Sequence, residues 1–162
     1  MKPISLTITD YQQMVELFQG ETDRGAAVLA GSYVENFLGL YLESLMVDQS
    51  LTEKVFGSNG SLSTFSQRID FAQGFGFLNE TLCAELQLIR KIRNHFAHHP
   101  KDASFMQSPV REWVGSLKSA QQVTFKDGGR FELGDPKLAY LMSAGMFVVL
   151  ASNKMQRPRS DG

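Results

Sequence analysis

Residues 79–100 read NETLCAELQLIRKIRNHFAHHP, from Asn79 to Pro100. Within them Leu82, Leu86, Ile89, Arg93 and Phe96 recur at alternating spacings of four and three, which aligns side chains on one face of an α-helix. Asn79 suits the N-cap, where its side chain accepts from a backbone N–H that has no partner inside the helix. Pro100 sets the other limit, because proline cannot continue a helix and restricts the residue before it. The spacing therefore predicts a helix capped by Asn79 and stopping before Pro100. Its end, Ile89-Arg90-Lys91-Ile92-Arg93-Asn94-His95-Phe96-Ala97-His98-His99, is basic and rich in histidine.

Working outward, the same period recurs. Thr9 or Asp10 is placed to cap a first helix through Phe18, which Gly20 breaks. A longer helix is predicted from Thr22 to Val47, with Val34, Phe37, Leu38, Tyr41, Leu42, Leu45 and Met46 on one stripe. Ahead of that stripe Gly25, Ala26, Ala27, Ala30 and Gly31 are small. Glycine costs a helix about 1 kcal/mol against alanine, so its presence here implies close approach of another helix. Gly57-Ser58-Asn59-Gly60 reads as a loop, and Ser61 or Ser63 as the start of a helix carrying Leu62, Phe65, Ile69 and Ala72 and ending at Gly74 and Gly76. Downstream, Ser108-Pro109 opens a short helix through Leu117. Alternating residues around an Asp127-Gly128-Gly129 turn predict a β-hairpin near 122–133. Asp135-Pro136 starts a last helix with Leu138, Leu141, Met142, Gly145, Val148 and Val149. The fold class expected is mainly α: a multi-helix bundle with one small β-hairpin, residues 1–151 forming a single domain and residues 152–162 a flexible basic tail.

Composition agrees with a globular domain: 162 residues, 43% hydrophobic and 20% charged. The single cysteine, Cys83, excludes an intramolecular disulfide and favours a reducing compartment. MKPISLTITDY, the first residues, lacks the apolar stretch of a signal peptide. The most apolar run, Leu138 to Ala151, is shorter than the roughly 20 residues that span a bilayer. A cytoplasmic protein is expected. Net charge is −1, but residues 1–60 hold eight acids and three bases, a local charge of −5, and each of the two remaining parts is +2. So balanced a chain is a poor candidate for a self-sufficient duplex-DNA binder, which draws on many phosphate contacts.

Three segments resemble the mannitol-operon repressor family: Asp23-Arg24-Gly25-Ala26-Ala27; Phe56-Gly57 with Leu62-Ser63-Thr64-Phe65-Ser66-Gln67-Arg68-Ile69; and Ile89-Arg90-Lys91-Ile92-Arg93-Asn94-His95-Phe96-Ala97-His98. The resemblance implies an all-helical or nearly all-helical protein in negative regulation of transcription. It also implies action through a protein partner, since the family has no recognisable helix-turn-helix. A homodimer is expected. The segment Arg93-Asn94-His95-Phe96-Ala97-His98 also resembles the Arg-x(4–6)-His signature of HEPN domains. Many of those are metal-independent ribonucleases of toxin or defence systems, and commonly dimeric. RNA is a partner only under this alternative.

The chemistry sets conditions on that alternative. At about 100° per residue, Arg93 lies on the apolar stripe, and a buried guanidinium there needs a partner. Asp23, Glu35 and Asp70 are the candidates. His98 lies about 140° further round, so one regular helix cannot aim both at one phosphate. Catalysis requires an unwound helix end or a dimer in which two ends meet. Then Arg93 would hold the phosphate, His98 would act as general acid or base, and Asn94 would orient the imidazole. The ordinary alternative has Arg93 paired with a carboxylate, Asn94 bonded to backbone, and His98 and His99 at the helix C-terminus, where cations are favoured. Arg68, Arg90, Lys91, His95 and His99 form a candidate basic binding face, with Arg68 at a surface or interface. His95 and His99 are four apart, yet no further ligand has matching spacing, so neither a metal nor any other cofactor is expected. Cys83 reads as buried filler, and Phe71, Phe75 and Phe77 as core rather than a base-stacking platform. Gly57–Gly60 lacks the lysine of a phosphate loop.

Overall fold

A computed structural model describes residues 11–119 and 135–156. Its helices are α1 (Tyr11–Phe18), α2 (Asp23–Ser44), α3 (Thr52–Phe56, entered through a 3-10 turn at Gln49–Leu51), α4 (Phe65–Gly74), α5 (Glu80–His98), α6 (Val110–Gly115) and α7 (Pro136–Gln156). Helix dominates the described residues, and no strand occurs among them. The hairpin expected near 122–133 falls outside the described residues.

Local chemistry sets most of the boundaries. Thr22 Oγ1 accepts from Gly25 N at 3.0 Å and starts α2, and Asn79 Oδ1 accepts from Leu82 N at 2.8 Å and starts α5. Helix α4 begins later than Ser61 or Ser63 suggest. Thr64 takes the cap because Gln67 answers it: Gln67 N donates to Thr64 Oγ1 at 3.2 Å and Thr64 N donates to Gln67 Oε1 at 3.1 Å, a reciprocal capping box. Helix α2 stops at Ser44, short of Val47, where Gln49 Nε2 donates to the carbonyls of Glu43 and Met46, each at 2.9 Å, and turns the chain. Sequence periodicity did not reveal the short α3 that follows, whose five residues are too few to show a repeat.

Helix α2 is the hub, packed against α1, α3, α4, α5 and α7; α1 lies on α7, α4 on α5, and α6 touches both α5 and α7. The small residues at the start of α2 make this possible. Ala26, Ala27 and Ala30 are fully buried, and Tyr140 of α7 donates its hydroxyl to Ala27 O at 2.7 Å. At Gly31 an added Cβ would lie 2.8 Å from Arg93 Cβ, and at Gly145 it would lie 2.6 Å from Tyr11 O, so α5 and α1 each cross over a missing side chain. The α5 stripe closes the core: Leu86, Ile89 and Phe96 are at most 1% exposed. Burial of each such side chain stabilises by roughly 1.5–3 kcal/mol.

Helix α7 is 21 residues long and contains an 18-residue window of mean hydropathy 1.3. It is thus longer than the Leu138–Ala151 run and sufficient by length and composition to cross a bilayer. Its apolar residues, however, are those of a core helix, with Tyr140, Leu141, Ala144 and Val148 fully buried. It also continues to Gln156, beyond the expected start of the tail at Ser152. Met155 packs against the core, and Lys154 Nζ sits 5.8 Å from the centre of the Tyr41 ring.

Candidate functional site at the end of α5

Arg93 is where α2, α4 and α5 meet. Its aliphatic stem lies in the gap left by Gly31. One turn further along α2, Glu35 Oε2 accepts a charge-assisted hydrogen bond from Arg93 Nη1. The remaining edge of the guanidinium faces its neighbour on α5: Nε and Nη2 donate to Asn94 Oδ1 at 3.3 and 3.2 Å. The group also lies 5.1 Å from the centre of the Phe65 ring on α4. Of the three carboxylates that could answer Arg93, the fold therefore selects Glu35. Asp23 instead accepts from Phe105 N at 3.1 Å, tying the loop before α6 to the start of α2. Asp70 is exposed on α4.

A second arginine reaches the same segment of α2. Arg68 Nε donates to Leu62 O at 2.8 Å, and its Nη1 donates to Glu35 O at 3.1 Å. Its guanidinium lies 5.7 Å from the centre of the Phe56 ring. Arg68 is 4% exposed, which corrects its placement at a surface and removes it from the candidate basic face. Burial pushes its pKa down, and the nearby carboxylates of Glu35 and Glu43 oppose that shift. The cause of this inward orientation is the chain reversal before Thr64, which leaves the Leu62 carbonyl without a helical partner and directly in reach. Beneath these groups, burial holds the Tyr140 phenol well above its ordinary range.

The three residues of the ribonuclease motif do not converge within the chain. Helix α5 stays helical through His98, with His99 as its C-cap, so the helix end does not unwind to redirect His98 towards Arg93. His98 is exposed. Asn94, expected to orient that imidazole, turns its Oδ1 to Arg93 instead.

The rest of the basic segment forms a different face, towards α6. The His95 and His99 rings stack with centroids 4.2 Å apart, and His99 Nδ1 lies 2.9 Å from His95 O. Trp113 of α6 meets the His95 ring edge-on at 5.5 Å, and Lys91 Nζ lies 4.5 Å from the Trp113 ring centre. Burial, and then the charge of His99, push the His95 pKa down. Arg90 Nε donates to Gln87 Oε1 at 2.9 Å on its own helix. Trp113, absent from the expected face, is what organises it; its place on a short helix far along the chain gave no signal. Among the described residues no three of His, Cys, Asp or Glu gather as a metal-binding group. Cys83 is buried, and burial followed by the charge of Asp70 raises its thiol pKa, as suits packing rather than nucleophilic attack.

Of the three aromatics expected in the core, Phe71 and Phe77 pack against it and Phe75 does not. Phe71, Phe75 and Phe77 gather with ring centroids 4.4 to 6.3 Å apart, yet Phe75 is 68% exposed. Gly76, at φ 72°, turns the chain immediately after it and leaves that ring outside the core.

Comparison with protein-family models, with curated proteins and with solved structures finds no match to the chain.

Proposed function

We propose that this chain is a non-enzymatic, cytoplasmic regulatory protein of the mannitol-repressor type, a homodimer that represses transcription through a protein partner rather than through a DNA-reading helix of its own. The observation that carries this reading is the engagement of Arg93. A catalytic arginine must be open to a phosphate, whereas this one bonds Glu35 and Asn94, lies against Phe65, and has a side chain only 18% exposed. One charged residue in each of the other two resembling segments is similarly engaged: Asp23 holds Phe105 N, and Arg68 holds the carbonyls of Leu62 and Glu35. The three segments thus secure the helices to one another. The nearly balanced charge of the chain agrees with an indirect mode of regulation.

Gel-shift titration of purified protein against operator-length duplex DNA, at low and at physiological salt, tests the indirect mode. No shift is expected at either; a tight shift that weakens steeply with salt would overturn it. Incubation with RNA tests the absence of catalysis. If the wild type cleaves, and both Arg93→Ala and His98→Ala abolish cleavage, the HEPN-like ribonuclease reading replaces this one.

A further inference from the structure

His95 stands where the end of α5 meets α6, half-buried among three neighbours. The His99 ring lies over it, with centroids 4.2 Å apart and planes 23° from parallel, and the Trp113 ring meets it edge-on at 5.5 Å. Lys91, one turn earlier on α5, sets Nζ 4.5 Å from the centre of the same indole. A carbonyl only accepts, so the 2.9 Å contact of His99 Nδ1 with His95 O places a proton on that nitrogen. The His95 ring has no such anchor: among the described residues neither of its nitrogens has a hydrogen-bond partner. No carboxylate answers the stack either, since the ion pairs among the described residues are Arg93–Glu35 and Lys137–Asp23. On α6 the charged groups are Arg111 and Glu112, and Glu112 accepts from Ser108 Oγ; in the loop after α5 they are Lys101 and Asp102, both exposed. Protonating His95 therefore places a cation face-to-face with His99, on an indole that already carries Lys91, with no anion paired to it. Like charges at such separations repel.

We propose that the stack is an acid-sensitive clasp: when His95 takes up a proton its ring leaves His99 and Trp113, and the indole opens to solvent while α6 stays docked. The docking of α6 is separate from the stack, because Val110, Val114 and the following Leu117 are buried in the core. Linkage gives the direction. In the closed clasp, burial first and the charge of His99 second hold the His95 pKa below its ordinary value. A freed ring regains the ordinary value of about 6.5. The open form thus binds the proton more tightly, so the clasp is closed above about pH 6.5 and opens as pH falls below it. This local change is independent of both the regulator and the ribonuclease readings.

Trp113 is the single tryptophan of the chain, so its emission reports this contact alone. The test follows its emission maximum and its quenching by acrylamide in the full-length protein, from about pH 8 to about pH 5 at fixed ionic strength. Far-UV circular dichroism is recorded on the same samples. Below about pH 6.5 the emission moves to the red and quenching rises while the helical signal is unchanged. His95→Gln abolishes the response to pH. His99→Gln diminishes it, because the charge that separates the closed and open forms is gone. His98→Gln, an exposed imidazole outside the stack, leaves it as in the wild type. Matching thermal melts at about pH 8 establish that the variants fold. Emission and quenching that stay flat in the wild type overturn the clasp, as does a transition that persists in His95→Gln. A transition that coincides with loss of the helical signal overturns it too, since acid would then be unfolding the whole domain.

Discussion

Replacing Glu35 by alanine removes the acceptor of Arg93, and with it a carboxylate whose charge favours the buried Arg68, while leaving the Glu35 carbonyl that Arg68 bonds. The two side chains are 18% and 25% exposed, and the magnitude lies between two limits. Exposed ion pairs contribute about 0–1 kcal/mol, and breaking a fully buried pair costs about 3–5 kcal/mol. A hydrogen bond between charged groups in an intermediate setting is worth about 1.5–3 kcal/mol. Because Asn94 keeps its two bonds to the guanidinium, the lower part of that span applies, and Glu35→Ala should cost about 2 kcal/mol. For a domain of this size that lowers Tm by about 4–8 °C. Arg93→Met keeps an aliphatic stem over Gly31 and contact with Phe65 but loses the charge. Urea unfolding of wild type, both single variants and the double variant closes a cycle with a coupling energy of about 1–1.5 kcal/mol. A coupling below about 0.5 kcal/mol, within the scatter for independent sites, would refute the pairing. The same data bear on function. An arginine held for a substrate can be truncated with neutral or stabilising effect, whereas Arg93 should destabilise on truncation.

Gly31→Ala places a methyl 2.8 Å from Arg93 Cβ and Cδ; overpacking of about 1–3 kcal/mol exceeds the gain in helix propensity of about 1 kcal/mol, so Tm falls. Gly74→Ala, whose Cβ would meet nothing within 4 Å, is the control and should leave Tm unchanged or raise it. His95 has a folded pKa below the usual imidazole value, from burial first and the charge of His99 second. The unfolded chain therefore takes up the proton first as pH falls. The contribution of His95 is intact above about 6.5 and declines as pH drops below it. Tm of wild type compared with His95→Gln, scanned from about pH 8 to about pH 5, should show the wild type losing more stability on the acid side. Parallel curves would contradict the burial of that ring against Trp113.

What could be read from the sequence was whatever depends on near neighbours in the chain. Helix α5 has an N-cap and a terminator within its own segment, and it spans Glu80–His98 as its period predicts. The angular separation of Arg93 and His98 was equally legible, because helix geometry fixes it without reference to the rest of the fold. The choice among Asp23, Glu35 and Asp70 was not, since each is an acid on a helix and only tertiary placement separates them. A signal did exist: Gly31 and Glu35 lie four apart on α2, one turn, so a helix that crosses at the glycine carries its arginine directly to that carboxylate. The exposure of Phe75 escaped periodicity because the residue lies in a turn, where hydrophobicity gives no direction.

Each resembling segment contains a charged side chain that joins elements distant in sequence: Asp23 to Phe105, Arg68 to Glu35, Arg93 to Glu35. Backbone N–H and carbonyl groups at such junctions need partners whatever the protein does, and a charged side chain supplies one more strongly than a neutral one. A pattern built from these residues therefore reports architecture before chemistry, and it would persist in a relative that had lost any catalytic role. Function has to be sought in side chains the architecture does not require. Among the described residues those include the exposed His98 at the end of α5 and, on and just after α4, the exposed Asp70 and Phe75.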